Sequence, residues 1–485
     1  MSTHASSLPP NISLNLLGAE IEQLHSECRS RYPHHDFFNP PSTSIFTRRR
    51  NGSSPPKNFK VKIQLNNSSN LSTDISARSG CDRLDENVRG FEQDAAPSPF
   101  LLVVVGLSIS LFASNLYYAQ PLLTTITSDL HLAPSWAGSI VSAGQVGYAL
   151  GLLMLVPMAD SVENKRLVLI CWFFTLIGLI GLATAQSAAV FLFSAAVVGF
   201  FSSGAQILLP YLSHIIPELR RGRVIGAIMA GVLTSVMLAR PFALFVASAF
   251  DWRAVYYLSG VATFSAGAVL WRTMPARMPN RRIRYRETLL SMCKLFRNEA
   301  EVKRRTVYQA LLFASFTMFW TVSPIVLTEH FAFSQTQIGL FALAGAGGVF
   351  AAPLAGRVSD RGSTRAGTTV ASLLVVASFS LSIWSVETGI LLALVSAAVV
   401  IDASIQTAQV LSRIVVLEVN SKIRGRINAL YMTIVYLSGA AGSILGVSLY
   451  FSFGWTAVAI LGVVAGLGVL VGVMTESSRP RPALS

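Results

Sequence analysis

Residues Ile401–Arg413 read IDASIQTAQVLSR and lie inside an otherwise apolar run from Thr388 to Val415. Four polar side chains recur in this stretch at spacings of four, three and four residues, which on an α-helix places them on one face. They are Asp402, Gln406, Gln409 and Arg413. A carboxylate in the middle of a membrane-length helix is costly unless it faces protein or a water-filled cavity. The stretch therefore predicts a membrane helix with one wet face, or an amphipathic helix of a soluble protein.

The composition of the whole chain decides between these two interpretations. The chain has 485 residues, of which 52% are hydrophobic and 13% are charged, against about 25% charged residues in an average soluble domain. From Glu92 onward, long uncharged runs are separated by short charged ones, which is typical of polytopic helical membrane proteins. The net charge of +14 is then explained by basic loops on one membrane face, so we expect a lipid bilayer and no nucleic acid as partner.

From Phe100 onward the hydrophobic runs predict an all-α membrane protein with twelve transmembrane helices, each near the roughly 20 residues that a crossing requires. The expected spans are about 100–126, 135–158, 166–186, 188–214, 223–249, 254–273, 307–328, 336–356, 367–386, 388–415, 426–450 and 454–474.

The basic residues between these spans fall almost entirely into one set of loops. This set includes eleven Lys and Arg between Arg272 and Arg305, whereas the loops of the other set hold only Arg253. Because cytoplasmic loops of membrane proteins are enriched in Lys and Arg, the segregation predicts that both termini are cytoplasmic. The expected location is the plasma (inner) membrane.

The longest connection divides the membrane part into six plus six spans. The expected parts are a disordered cytoplasmic N-terminal extension, an N-terminal six-helix bundle, a cytoplasmic central loop, a C-terminal six-helix bundle and a short cytoplasmic tail: residues 1–98, 99–273, 274–305, 306–474 and 475–485. The extension is polar and rich in Ser, Asn, Pro and Arg, and it is either a regulatory or partner-binding tail or a solvated one. Residues 285–297 in the central loop predict a basic amphipathic helix on the cytoplasmic leaflet.

Short sequence matches recur between the two groups of six spans at one shared offset. An offset of 203 residues relates three of them: RGR at Arg221 and Arg424, FDWRAV at Phe250 and FGWTAV at Phe453, and AQIL at Ala205 and AQVL at Ala408. Each match is weak alone, but the shared offset indicates a duplicated six-helix unit and thus two pseudo-symmetric bundles.

The loop after the eighth span carries the motif GRVSDRGSTR, Gly356–Arg365. It is similar to the G-x-x-x-D-R-x-G-R-K loop motif of the major facilitator superfamily. The chain resembles this family over about residues 98–474. A first copy of the loop, VPMADSVENKR, keeps Asp160 and Lys165. NLYYAQPLL at Asn115–Leu123 and the FDWRAVY corner are similar to a bacterial-type, drug-efflux-like branch.

This resemblance implies two six-helix bundles around a central cavity that opens alternately to each side of the membrane, with spans 1, 4, 7 and 10 lining it. It also implies that the two loop copies control gating on the cytoplasmic side. The gating residues carried over are Asp160, Lys165, Gly356, Asp360, Arg361 and Arg365.

The candidate residues for proton coupling and the substrate cavity are the polar groups within the spans. Asp402 lies about 15 residues from Glu387, or roughly 22 Å along a helix, which places it near mid-bilayer. A carboxylate there can take up and release a proton in each cycle, or it belongs to a structural ion pair. The buried cation Arg240 binds an anionic group, holds Asp402 ionised, or extends outward to the membrane surface.

The other candidates are neutral, apart from Arg413, and either line the cavity or hydrogen-bond neighbouring helices. They are Asn115, Tyr118 and Gln120 in span 1 beside the kink expected at Pro121, Gln206 as the repeat partner of Gln409, and Gln406, Gln409 and Arg413 in span 10. Phe319 and Trp320 form an apolar cavity wall, or belong to the core or the lipid-facing surface. Gly147 and Gly151 in span 2 predict close helix packing.

The predicted function is secondary active transport by alternating access, namely proton-coupled efflux of small organic molecules by an antiporter. Two alternatives stay open: a facilitator or proton-linked importer of a small metabolite, and a non-transporting membrane receptor or scaffold. No nucleophile–base set, phosphate-binding loop or metal-ligand spacing occurs in the sequence, so we expect no enzymatic activity, no cofactor and no metal. The expected partners are a small-molecule substrate and protons, and the expected state is a monomer.

Overall fold

The computed structural model describes residues 98–159, 161–216, 218–276, 285–346, 348, 358, 363–419 and 424–476. Within these residues the chain forms α-helices, 3₁₀ turns and connecting loops, with no β-strand. The expected disordered extension therefore lies outside the described residues, apart from Ser98.

The helices follow the expected order of spans. They are α1 (Pro99–Ser114), α2 (Leu123–Asp129), α3 (Gly138–Met158), α4 (Asn164–Ala183), α5 (Ala188–Ser202), α6 (Ala205–Ile215), α7 (Glu218–Ala249), α8 (Trp252–Thr273), α9 (Tyr285–Asn298), α10 (Ala300–Glu329), α11 (Gln335–Ala342), α12 (Thr364–Thr388), α13 (Leu391–Glu418) and α14 (Arg424–Met474).

Nine helical segments of the described chain are long and apolar enough to cross a membrane. The last of them, α14, holds two expected spans, because Gly454 adopts a left-handed φ of 77° that divides the helix. Span 1 is shared by α1 and α2, and only part of span 8 is described, so the count of twelve stays a prediction. Large apolar side chains such as Phe264 (63% exposed) and Leu392 (74% exposed) cover the outer surface, as lipid contact requires.

The expected helix in the central connection is confirmed as α9. Its Tyr285 hydroxyl donates to the Met154 carbonyl at the end of α3, at 3.1 Å. Its Ser291 accepts a 3.4 Å hydrogen bond from Arg426 at the start of α14. The helix therefore contacts both six-span groups on the side of the molecule where the basic loops lie, which we call the basic side; the other face is the opposite side.

The most extensive helix contacts between the N-terminal and C-terminal halves are those of α3 on α14 and of α7 on α11. Span 2 corresponds to span 8 in the sequence repeat, and span 5 corresponds to span 11. The repeat therefore relates the contact between spans 2 and 11 to the contact between spans 5 and 8. This is the arrangement expected of two pseudo-symmetric bundles.

Several spans are interrupted in mid-course. Between α1 and α2, residues 115–122 leave the α-helical conformation, and Tyr117 N donates to Ser114 O (2.9 Å) in a tighter 3₁₀ turn. Pro121 in this segment lacks the N–H that a continuous helix would need, which explains the interruption. Span 4 breaks at Ser203–Gly204, and α11 continues as a 3₁₀ turn at Leu343–Ala346. Irregular backbone at membrane depth is tolerated only inside protein or along a cavity. These breaks therefore indicate segments that lie in the protein interior or line a cavity.

The expected close packing of Gly147 and Gly151 is confirmed. Each glycine of α3 lies directly against a backbone carbonyl of α5: an added Cβ at Gly147 would overlap Ala196 O, and one at Gly151 would overlap Phe200 O. The two helices thus pack backbone to backbone, which only the absence of a side chain permits.

We predict that Gly151→Ala destabilises the protein by about 1–3 kcal/mol, because the new methyl group forces α3 and α5 apart. The measurement is the midpoint of unfolding of the purified protein in detergent. Gly226→Ala in α7 is the matched control, since an added Cβ there meets nothing within 4 Å. Equal midpoints for the two variants would contradict the packing described here.

Candidate functional site

Two buried side chains of opposite charge lie where the two halves meet. Arg240 projects from α7 of the N-terminal half and Asp402 from α13 of the C-terminal half, and each is only 3% exposed. Both are surrounded by the interrupted segments of spans 1 and 8 and by α10. We call Arg240, Asp402 and the side chains that contact them the interface site.

The Arg240 guanidinium is held by one hydrogen bond and by aromatic rings. Its Nε donates to Gln120 Oε1 at 3.2 Å. Its central carbon lies 4.3 Å from the ring centre of Trp320, 5.4 Å from that of Phe316 and 5.5 Å from that of Tyr117. These cation–π contacts compensate in part for the loss of water around the charge. Arg240 therefore does not extend outward to the membrane surface.

Glycine at position 345 permits the close approach of span 8 to this arginine. A Cβ built on Gly345 would lie 3.0 Å from Arg240 Nη1 and 3.2 Å from Trp320. Any larger residue would push the guanidinium or the indole ring aside, so the tight 3₁₀ turn of span 8 belongs to the interface site.

Asp402 is held by the same span. Its Oδ2 accepts a hydrogen bond from the backbone N–H of Gly348 at 3.0 Å. A side chain at Gly348 would overlap both Asp402 and Gln406. The indole N–H of Trp320 approaches the carboxylate but falls short of a hydrogen bond.

Arg240 and Asp402 both contact span 8, Arg240 at Gly345 and Asp402 at Gly348. Among the described residues no direct ion pair joins them. Opposite charges that are removed from water attract each other more strongly than they do in water, so we expect each charge to add to the stability of the other. Whether Arg240 is the partner of Asp402, which the sequence leaves open, stays a prediction.

The remaining members of the span 10 stripe and the repeat partner Gln206 lie nearer the basic side. All are half-buried. Gln206 donates to the Tyr148 hydroxyl at 3.3 Å, within the N-terminal half. Arg413 Nε donates to Asn428 Oδ1 at 2.9 Å, within the C-terminal half. Gln406 contacts Gly348 beside Asp402, and Gln409 lies one helical turn further on.

Two candidates in span 1 lie away from the interface site. Asn115 Oδ1 accepts a 2.6 Å hydrogen bond from the Ser259 hydroxyl of α8. The Tyr118 hydroxyl lies beside the same serine, and its ring packs on Phe242 at 6.0 Å. Both side chains therefore point into the N-terminal half, and only Gln120 of the three reaches Arg240.

Aromatic residues that the sequence did not single out connect the halves between the interface site and Gln206. Tyr148 of α3 packs on Tyr436 of α14 with ring centres 4.5 Å apart. Tyr436 packs on Phe313 at 5.1 Å, and Phe313 stacks on Phe316 at 5.7 Å. An aromatic in an apolar run is usually a core residue, so a single sequence offers no signal that distinguishes these four.

Of the two aromatics that the sequence did single out, only Trp320 belongs to the interface site. Phe319 packs on Phe379 and Trp455, with ring centres 6.0 and 5.7 Å away, inside the C-terminal half. It is therefore a core residue.

The loop residues with an expected gating role are described only in part. Lys165 is half-buried in the first turn of α4. Arg365 donates to the Met474 carbonyl at 3.2 Å, which ties the start of α12 to the end of α14. Asp160, Gly356, Asp360 and Arg361 lie outside the described residues, so their role stays a prediction.

The two halves contact each other on the opposite side. There Gln335 Nε2 donates to Thr125 Oγ1 at 2.8 Å, and the Ser443 hydroxyl donates to the Gly138 carbonyl at 3.0 Å. In contrast, the described residues of span 5 between Arg223 and Leu238 are half-buried or exposed, apart from Ile228.

Comparisons with known proteins agree with this architecture. The family described as Major Facilitator Superfamily matches residues 103–304 and 305–485. The putative uncharacterized transporter YgaY of Escherichia coli K12 is 35% identical over 371 residues, which cover 76% of this chain and 94% of that protein. The probable transporter SCO4007 of Streptomyces coelicolor is 29% identical over 387 residues, covering 79% of this chain and 89% of the relative.

One further relative and one solved structure are more distantly similar to this chain. A probable sugar efflux transporter of Helicobacter pylori is 23% identical over 265 residues, covering 54% of this chain and 66% of that protein. The crystal structure of a D-xylose-proton symporter superimposes with a TM-score of 0.62 at 14% identity, covering 76% of this chain and 96% of the symporter, and this likeness concerns the fold alone.

Proposed function

The chain belongs to the Major Facilitator Superfamily and is an integral membrane transporter, and from this premise we propose that it exports small organic molecules by alternating access, in exchange for protons. The observation that carries the proposal is the interface site, where Asp402 and Arg240 lie buried between the two halves. A receptor or scaffold has no need of opposite charges at this boundary, which any rocking of the halves would separate.

Alternating access is supported by the unequal contacts on the two sides. The halves are joined by Thr125–Gln335 and Gly138–Ser443 on the opposite side, while the described residues 223–238 of span 5 are half-buried or exposed, apart from Ile228. Closing one side and opening the other requires these few polar contacts to break, whereas the contacts within each half persist. Rigid-body rocking of two repeats around a fixed central site accounts for such an exchange.

Proton coupling is supported by the chemistry of the interface site. Asp402 is the only carboxylate that α13 places between the halves, since Glu418 at the end of the same helix is exposed. Its charge is stable when Arg240 is near and costly when Arg240 moves away. A carboxylate whose counter-charge lies on the other half therefore takes up a proton when the halves separate and releases it when they return.

Export is the direction that the relatives favour. The Helicobacter pylori relative carries a name that describes efflux, and the segment Asn115–Leu123 is similar to efflux-type members. A plasma-membrane location, cytoplasmic termini and a monomeric state complete the proposal, and the distribution of Lys and Arg supports the orientation.

A second candidate function is proton-linked import of a small metabolite. It is favoured by the opposite charges of Arg240 and Asp402, since such a site accommodates an anionic group and a proton together. The direction of proton movement relative to the transported compound distinguishes the two. In exchange, protons and the compound cross the membrane in opposite directions, whereas in co-transport they cross in the same direction.

We predict that Asp402→Asn lowers proton-driven flux by about tenfold or more, because the amide cannot exchange a proton. The measurement uses proteoliposomes with an imposed pH gradient and a pH-sensitive dye inside. The compounds tested are those to which cells that overproduce the protein become resistant.

The matched control for that assay is Glu387→Gln, which neutralises an exposed carboxylate at the end of α12. It should transport like the natural protein. If Asp402→Asn retains full flux with its proton dependence, Asp402 is not the coupling group.

We further predict that cross-linking Thr125→Cys to Gln335→Cys with a short bifunctional maleimide abolishes transport, because it joins the halves on the opposite side. The accessible native cysteines are first replaced by serine. The measurement is flux in the same proteoliposomes before and after treatment.

A pair within one half serves as control for the cross-link. Asp129 and Arg253 form a 2.8 Å ion pair on the same side of the N-terminal half. Cross-linked cysteines at these two positions should leave transport intact. Undiminished transport by the cross-linked Thr125–Gln335 variant would contradict alternating access.

A further inference from the structure

The interface site contains buried hydrogen-bond donors without partners. They are Nη2 of Arg240, Nε2 of Gln120 and Nε1 of Trp320. None forms a hydrogen bond within the described part of the chain, although the Trp320 indole N–H approaches the Asp402 carboxylate. Buried polar groups in folded proteins are nearly always hydrogen-bonded, so unpaired ones at one place require an explanation.

One of these donors belongs to the Arg240 guanidinium, and the side chains of the other two contact it. Gln120 is hydrogen-bonded to Arg240 through its oxygen, which leaves its amide N–H groups unused. The Trp320 ring lies 4.3 Å from the centre of the guanidinium. The donors come from three different elements, namely the interrupted segment of span 1, α7 and α10, so their convergence is a property of the assembled interface and not of one helix.

The side chains that contact Arg240 leave donors unpaired but no buried acceptor, within the described residues. A ligand that satisfies only donors must itself supply acceptors. A carboxylate does so best, because its two oxygens match the planar fork of an arginine and carry the opposite charge. We infer that the cargo is a small organic anion whose carboxylate binds Arg240, Gln120 and Trp320; this inference rests on the proposed transport function and specifies its substrate class.

A cationic cargo fits the site less well. The rings of Tyr117, Phe316 and Trp320 already stabilise the positive charge of Arg240. A second cation over the same rings would meet a like charge at short range. The Asp402 oxygen that faces span 8 is also occupied by the Gly348 N–H.

The surroundings of the donors suit a ligand with a flat apolar body. Phe316 is followed by Phe313, Tyr436 and Tyr148, which form a continuous series of rings between the halves. Pockets for small organic ligands combine such an apolar lining with a few placed polar groups. An aromatic carboxylate therefore meets both requirements: its charged end at Arg240 and its ring against these side chains.

The test measures the unfolding temperature of the purified full chain in detergent, titrated with benzoate, benzamide or benzylamine. Benzoate should raise the unfolding temperature in a concentration-dependent way, because a ligand that binds only the folded state stabilises it. Benzamide and benzylamine have the same ring without the carboxylate, and they should produce no comparable shift.

Three variants assign the effect to the site. Arg240→Gln should abolish the benzoate shift. Trp320→Phe keeps the ring but removes one donor, and it should weaken benzoate binding by about tenfold; it remains informative if Arg240→Gln does not fold. Arg272→Gln, at an exposed position near the end of α8, should respond to benzoate like the natural protein.

The outcomes separate this inference from the proposed function. A shift by benzylamine equal to that by benzoate, or a benzoate shift unchanged in Trp320→Phe and Arg240→Gln, would overturn the anion site even if proton-driven transport of other compounds were measured. A benzoate shift that depends on Arg240 and Trp320 supports the site, even if the separate proteoliposome assay detects no proton-coupled flux.

Discussion

Two buried charges that belong to different halves of the molecule set the main physical constraint on the structure. Arg240 and Asp402 are each almost completely removed from solvent, and no direct ion pair connects them in the described part of the chain. Each charge is therefore stabilised by its own local contacts and by the field of the other. Such an arrangement is sensitive to movement, because separating the halves removes the part of the stabilisation that each charge draws from the other. A transport cycle can use this sensitivity, whereas a static scaffold gains nothing from it.

Local backbone geometry makes this arrangement possible. The interrupted segment of span 1 supplies Gln120 and Tyr117, and the 3₁₀ turn of span 8 brings Gly345 against Arg240. Gly348 then donates its N–H to Asp402. A regular helix satisfies its own backbone groups and keeps its neighbours a side chain apart, so neither contact would form with unbroken helices. The same logic operates at α3 and α5, where glycines permit backbone packing inside one half.

Much of this architecture follows from the sequence because the bilayer limits what the chain can do. Long apolar runs predict the helices, and the shared offset between FDWRAV and FGWTAV predicts the two halves. The cost of a carboxylate in lipid predicts that Asp402 faces protein. The sequence does not give the direction in which a side chain leaves an interrupted helix. For this reason the sequence alone groups Asn115 and Tyr118 with Gln120, although Asn115 bonds to Ser259 and Tyr118 lies beside that serine, inside one half. The aromatic rings at the interface carry no sequence signal for a similar reason, since burial in a core and burial between two halves produce the same apolar pattern.

The central claim is that Arg240 and Asp402 stabilise each other across the boundary between the halves. A double-mutant cycle on the free energy of unfolding tests it most directly, using Arg240→Gln, Asp402→Asn and the double variant. If the two charges interact, the double variant should be less destabilised than the sum of the single variants by at least about 0.5 kcal/mol, since each single change leaves one buried charge uncompensated. Additive effects within the error of the measurement would show that the charges are independent and would contradict the account.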